Sequence, residues 1–395
     1  METKAINTKL KGHARVDVAD VLRGLAVMGI IILHSIEHFN FYSFPDTAGQ
    51  SAWLNFSDKA IWNGLFFMFG GKAYAIFALL FGFSFFIQDD NQRLRGNDFR
   101  LRFCWRLILL FLIGNINASF FTAEVLVLYS LVGFILPLTC RLKDKWIFAL
   151  ACLLLIQPLP LYYVIRACLD PEFVTPAIPT RSFWNATFAV QSNGNFLETI
   201  RVNLWEGQLA SLAWAWDHGR VFQTAALSFL LGMLIGRKGL FLKEHLKVWN
   251  KVLAGSLISF FPLYGLGNML PDFITNKSIL TPLSLIITSL SNFAFMLILV
   301  SGVVFAFYKT NLHDGLMKIT PYGKMSLTNY ITQSIVGSML YYNWGFALHN
   351  QFGITASCLA GIVFFILQFS FCRWWMNHHS HGPMEYIWKR ATWLK

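Results

Sequence analysis

The stretch DVLRGLAVMGIIILHSIEH, residues 20–38, sets five ionisable side chains into one apolar helix. At about 100° per residue, Arg23 and His34 fall roughly 20° apart on the helical wheel, and Asp20, Glu37 and His38 fall within about 60° of His34. One face is charged and the remainder is apolar. A charge in hydrocarbon costs on the order of 3 kcal/mol or more, so such residues turn to a bundle interior or a watery cavity and mark function. Asp20 and Arg23 have a plainer alternative, capping the helix and reaching the headgroups. His34, about 21 Å from Asp20 at 1.5 Å per residue, is too deep for that.

Composition agrees with a helix of this kind being one of many. Of 395 residues 55% are hydrophobic, 16% aromatic and only 13% charged, which leaves too little polar surface for a soluble globule of this length. The expectation is an all-α, polytopic transmembrane bundle lying in a lipid bilayer. The formal charge of +12 does not point to nucleic acid, because the basic residues sit in short clusters between apolar runs. The six cysteines show no C-x-x-C spacing. The tail His378-His379-Ser380-His381 has no carboxylate or cysteine to complete a tetrahedral set, so no metal site is expected.

Apolar runs predict about ten spans, at 21–39, 61–87, 103–117, 125–138, 146–165, 221–235, 252–270, 280–307, 325–342 and 354–372. The second is broken at Gly70-Gly71-Lys72, a glycine pair of the kind that kinks helices. Residues 1–19 read as a cytoplasmic leader, 20–395 as one membrane domain, and about 166–220 as an external loop. With loops assigned by alternation, 25 of the 32 lysines and arginines fall inside and 7 elsewhere. That asymmetry puts both termini in the cytoplasm.

Several residues stand out chemically. Lys72, at the break, needs a counter-charge or an anionic ligand, with Glu124, Glu37 and Asp20 as candidate partners. Arg23, Arg102 and Arg106 cluster at the inner mouth, where they either obey the positive-inside rule or grip phosphates. Ser326, Asn329, Gln333 and Gly337 form a polar stripe, either packing glue or, for Asn329 and Gln333, part of the wall of a cavity shared with His34. Trp184, Trp205, Trp214 and Trp216 are either an interfacial belt or platforms for sugar faces.

Three stretches resemble the YeiB-like family, bacterial inner-membrane proteins whose shared domain has no assigned function. They are Asp20-x-x-Arg23-Gly24-x-Ala26-x-x-Gly29; Lys72 with Phe77-Ala78-Leu79-Leu80-Phe81-Gly82; and Gly323-Lys324-Met325-Ser326-Leu327-Thr328-Asn329-Tyr330 with the tail Gly382-Pro383-Met384-Glu385-Tyr386-Ile387-Trp388. Where the family commonly shows Gly-x-Ile-His and Gly-Asp-Ile-Leu, this chain has Gly114-Asn115-Ile116-Asn117 and Ala123-Glu124-Val125-Leu126, so an amide stands in for an imidazole. More distantly, Asp-x-x-Arg-Gly followed by a late histidine is similar to the integral-membrane acyltransferases that acetylate bacterial surface glycans, and to the lysosomal heparan acetyltransferase.

That resemblance implies an O- or N-acyltransferase using cytoplasmic acyl-CoA, acetyl-CoA for instance, and an envelope acceptor such as a glycan or small molecule. Arg23, Arg102 and Arg106 would hold coenzyme A phosphates. His34 would act as general base or transient acyl carrier, with Glu37 or Asp20 orienting it. Lys72, Asn117, Glu124, Asn329 and Gln333 would bind substrate or polarise the acyl carbonyl. A transporter for a small polar or anionic solute is the competing reading, because a broken span and intramembrane charges also mark solute pathways.

Overall fold

A computed structural model describes residues 16–394; Lys4, Lys9, Lys11 and Arg15 of the leader lie outside the described residues. Among these residues the chain is helical throughout, without a strand. In order the helices are α1 (Asp17–Ile36), α2 (Ala52–Phe69), α3 (Ala73–Leu94), α4 (Arg100–Ala118), α5 (Leu126–Val132), α6 (Ile135–Thr139), α7 (Asp144–Leu155), α8 (Pro158–Leu169), α9 (Thr180–Asn193) and α10 (Phe196–Val202). They continue as α11 (Gln208–Asp217), α12 (Arg220–Gln223), α13 (Leu231–Arg237), α14 (Leu246–Phe273), α15 (Lys277–Lys309), α16 (His313–Met317), α17 (Thr320–Lys324), α18 (Ser326–Tyr341), α19 (Ile354–His378) and α20 (Pro383–Thr392). Two π-helical turns, Asn203–Gly207 and Thr224–Leu230, join α10 to α11 and α12 to α13.

Among the described residues six segments are long and apolar enough to cross a membrane: α1, α2 with α3, α4, the segment containing α14, α15 and α19. The pair α7 and α8, bent by 48°, makes a seventh if counted as one span. The bend follows from sequence, since Pro158 and Pro160 cannot continue the amide ladder of α7. The three remaining apolar runs fold as α5 with α6, as α12 and α13 interrupted by a π turn, and as the 16-residue α18. Each is largely buried in the interior. A helix enclosed by others need not reach both bilayer faces, which is why these runs read short in the sequence.

The first helix is the axis of the bundle. Of its best apolar window 78% is buried, against 11% for the segment containing α14, so α1 is central and α14 peripheral. Close packing at its start depends on Gly24 and Gly323, where α1 crosses α17. A Cβ on Gly24 would come within 2.6 Å of Ile319 Cγ2, and one on Gly323 would overlap the Asp20 carbonyl. Small residues permit this approach of helix backbones.

The segment at 166–220, expected as an external loop, is instead folded, with α9, α10, a π turn and α11 packed on one another. It buries mainly polar and small side chains, Thr187, Gln191, Thr199, Asn203, Ala210 and Ala215 among them, and lies over the His34 end of the bundle. Trp205 and Trp216 face outward, 69% and 46% exposed, whereas Trp184 and Trp214 turn inward onto His38 and Arg220.

At the opposite end the basic loops are tied together. Arg141 pairs with Asp89 at 2.7 Å and Arg237 with Asp144 at 2.8 Å, which places three of the basic clusters on one side of the bundle. The tail lies there too. Glu385 accepts hydrogen bonds from the Leu327 and Thr328 amides at 2.7 and 3.1 Å and from Thr328 Oγ1 at 2.6 Å, satisfying donors that the first turn of α18 would leave orphaned. The two halves of the third sequence motif thus meet as a helix cap supplied from 58 residues away.

Candidate functional site

Helix α1 ends by an abrupt reversal. Phe41 and Tyr42 both take φ of 54°, a left-handed conformation that is costly for bulky residues and is held only where surrounding contacts impose it. The Tyr42 amide returns to the Glu37 carbonyl at 3.1 Å, and its hydroxyl donates to Glu37 Oε2 at 3.2 Å. On the other oxygen, Glu37 Oε1 lies 3.0 Å from His34 Nδ1 and 3.4 Å from His38 Nε2. The carboxylate is buried, and its two oxygens are engaged by three side chains.

This cluster lines a cavity of about 510 Å³ whose walls also carry Tyr74, Glu124, Trp214, Asp217, His218, Arg220 and Asn292. Because Nδ1 of His34 faces Glu37, Nε2 is the nitrogen left to an occupant of the cavity. The ligand-capable atoms of His34, Glu37 and His38 lie within 4.8 Å of one another, a spacing that can also hold a metal ion. These ligands come from His34-x-x-Glu37-His38 and not from the cysteines or the tail histidines, so the expectation of no metal site did not extend to them.

A second cavity of about 620 Å³ lies at the Asp20 end, lined by Asp20, Arg23, Ser84, Arg106, Lys324 and Lys389 among others. Arg23 donates to Asp20 at 2.6 Å and to Ser84 at 2.9 Å, and the Arg106 guanidinium stacks 3.7 Å from the centre of the Trp388 ring. The wall between the two cavities is thin. Consecutive turns of α3 give Tyr74 to one and Phe77 to the other, α5 gives Leu128 to one and Leu126 and Tyr129 to the other, and α18 gives Tyr330 to one and Leu327 to the other. The Tyr129 hydroxyl donates to the Tyr74 carbonyl at 2.6 Å and locks this partition.

The structure therefore divides the charged face of α1. His34 and Glu37 stand together, but Asp20 belongs with Arg23 at the other cavity and does not orient His34. Glu124 lines the His34 cavity and bonds to Asn117 and to the Leu126 amide, so these two candidates form one buried pair. Three expectations need correction. Asn329 and Gln333 line neither cavity; they bond to the Tyr322 carbonyl, the Tyr322 hydroxyl and Gln368, as packing contacts between helices. Arg102 also lines neither, being held by the Thr392 carbonyl at 2.9 Å and stacked on Trp393. Lys72 is buried as expected, yet among the described residues no carboxylate lies within 4.0 Å of it; its ammonium sits 5.5 Å from the Phe295 ring and 5.9 Å from the Phe67 ring. Two aromatic faces have taken the place of the acid.

Trp214, expected as part of a belt or as a sugar platform, lines the first cavity, together with His218, Arg220 and Asn292, which no sequence pattern marked as site residues; nor were Lys324 and Lys389 marked at the other. Asp217-His218-Gly219-Arg220 was visible as a polar run before an apolar one, but nothing in its spacing tied it to α1.

These features define a helical membrane protein with two polar cavities strung along its first helix. Residues 235–395 match the family described as "Protein of unknown function (DUF418)". The chain is 26% identical to the uncharacterized protein YxaH of Bacillus subtilis, over 97% of this chain and 95% of that one. It is 24% identical to the uncharacterized protein YeiB of Escherichia coli, over 94% and 95%. An uncharacterized 39.9 kDa protein from the amylase 3′ region of Bacillus acidopullulyticus is 22% identical over 96% and 94%. Over nearly its whole length the chain is thus similar to a set of uncharacterized proteins that includes YeiB. No solved structure matches it.

Proposed function

We propose that the chain is an integral-membrane acyltransferase of the bacterial inner membrane, with ten membrane-embedded segments and both termini cytoplasmic. It carries an acyl group, acetyl being the simplest, from cytoplasmic acyl-CoA to a hydroxyl or amine of an envelope acceptor such as a glycan. The observation that carries this reading is the pair of cavities separated by about one helical turn. One presents Arg23, Arg106, Lys324 and Lys389, the donors that phosphates require, and the other presents a histidine–carboxylate pair. The basic loops gathered at the Asp20 end support placing the donor cavity on the cytoplasmic side.

In this mechanism His34 Nε2 takes the proton of the acceptor hydroxyl as its oxygen attacks the thioester carbonyl. The C–O bond forms, the C–S bond breaks, and the imidazolium returns the proton to the departing thiolate. Glu37 fixes the tautomer and stabilises the transient charge. Transfer across the partition requires the contact between Tyr74 of α3 and Tyr129 of α5 to yield.

A transporter is the second reading, favoured by the helix break at Gly70–Lys72 and by cavities facing opposite ends across a thin wall. One experiment separates them. Protein in proteoliposomes receives labelled acetyl-CoA on one side and an envelope extract on the other, for wild type, His34→Ala and His34→Asn. Loss of transfer by about 10²- to 10⁴-fold in both variants is expected, since asparagine cannot take up a proton near neutral pH. Full transfer by both would remove His34 from the chemistry; solute flux without acyl-CoA would establish the transporter.

A further inference from the structure

Arg220 is presented to the His34 cavity by a constrained turn. Gly219 takes φ of 63°, and a Cβ there would come within 2.5 Å of Gln157 Oε1. The buried Gln157 amide donates to the Gly219 carbonyl at 3.0 Å and to Ser289 Oγ at 3.1 Å, pinning the turn to α15. From it the Arg220 guanidinium reaches two rings, 3.9 Å from the centre of Tyr74 and 4.5 Å from that of Trp214. The His218 ring stacks on Trp214 at 4.4 Å.

A guanidinium held against two rings still carries five N–H donors in a planar fork, the geometry that matches a carboxylate or phosphate. Among the described residues no carboxylate lies within 4.0 Å of Arg220. The acids that share the cavity are occupied elsewhere: Glu37 with His34, His38 and Tyr42, Glu124 with Asn117 and the Leu126 amide, and Asp217 with Thr180 Oγ1.

We propose that the His34 cavity binds an anionic group of its substrate, a carboxylate or a phosphate ester, on the N–H edge of Arg220. On the acyltransferase reading above, on which this deepening rests, the acceptor is an acidic sugar or a phosphorylated small molecule. Arg220 lines the same cavity as His34, Glu37, His38 and Tyr42, so an anion held on it keeps the remainder of the acceptor in the compartment where His34 and Glu37 stand. Recognition by tryptophan stacking is not available at Trp214, because Arg220 covers one of its faces and His218 stacks against the ring as well.

The test is direct binding to purified protein without acyl-CoA, so it stands or falls separately from acyl transfer. Intrinsic tryptophan fluorescence is titrated with methyl glucuronoside, glucose 1-phosphate and methyl glucoside. At least one anionic sugar is expected to bind about 10- to 100-fold more tightly than the neutral one, the range of a charge-assisted hydrogen-bonded contact. Binding of the glucuronoside alone places the substrate class at carboxylates, and of the glucose phosphate alone at phosphate esters. Arg220→Gln should erase the preference, Arg220→Lys should retain part of it through charge alone, and Arg102→Gln, at a residue that lines neither cavity, should leave it intact. The proposal is overturned if neither anionic sugar binds, if the neutral sugar binds equally well, or if folded Arg220→Gln keeps the preference.

Discussion

Glu37→Gln tests the centre of the proposed chemistry with the least change of shape. The carboxylate is 5% exposed and meets His34 Nδ1 at 3.0 Å, His38 Nε2 at 3.4 Å and the Tyr42 hydroxyl at 3.2 Å. Glutamine fills the same volume but carries one acceptor oxygen and one amide nitrogen. If the oxygen faces the histidines, Tyr42 loses its acceptor; if the nitrogen does, His34 Nδ1 must become the acceptor and Nε2 carries the proton, the wrong tautomer for a base. Loss of a charge-assisted hydrogen bond costs about 1.5–3 kcal/mol, and release from burying an ionised carboxylate offsets much of it. The thermal midpoint should therefore move little, while acyl transfer falls by about 10²- to 10⁴-fold, the cost of disabling a carboxylate-oriented histidine. The assay is label transfer from acetyl-CoA in proteoliposomes, with thermal unfolding in detergent on the same preparation. Wild-type transfer by a folded Glu37→Gln protein would refute the reasoning, because it would mean that the tautomer and charge of His34 do not matter.

Two further outcomes follow from the packing and the electrostatics. Gly323→Ala should destabilise by about 1–3 kcal/mol, because its Cβ meets the Asp20 backbone rather than a side chain that can swing away; an unchanged unfolding midpoint would contradict the close crossing of α1 and α17. At His218, outside the membrane-crossing helices, burial pushes the imidazole pKa below its ordinary value, the Trp214 carbonyl and Asp217 oppose this, and Arg220 adds to it. The unfolded chain then binds more protons near pH 6, so stability is complete above about pH 6.5 and is lost as the pH falls toward the lowered value. The unfolding midpoint of His218→Gln should accordingly drop less between pH 7 and 5 than that of wild type, and equal drops would exclude His218 as the source.

The sequence by itself determined the class of this protein and the residues at its centre. Apolar runs of bilayer length are a local property, so α1, α14, α15 and α19 were legible within a few residues, as was the break before Lys72, which glycine and a lone cation mark together. Helical spacing also placed Glu37 beside His34, three residues on. Tertiary structure decided everything that depends on which helices face each other. Asp20 shares the face of His34 on the wheel, yet distance along the axis gives it to another cavity. Arg102 lies one turn from Arg106, but the tail helix α20 captures it. Arg220 reaches the cavity only because α3 and α11 bring Tyr74 and Trp214 to either side of it. Periodicity reports which side of a helix is polar, whereas the partner that side meets is set by packing between segments far apart in the chain.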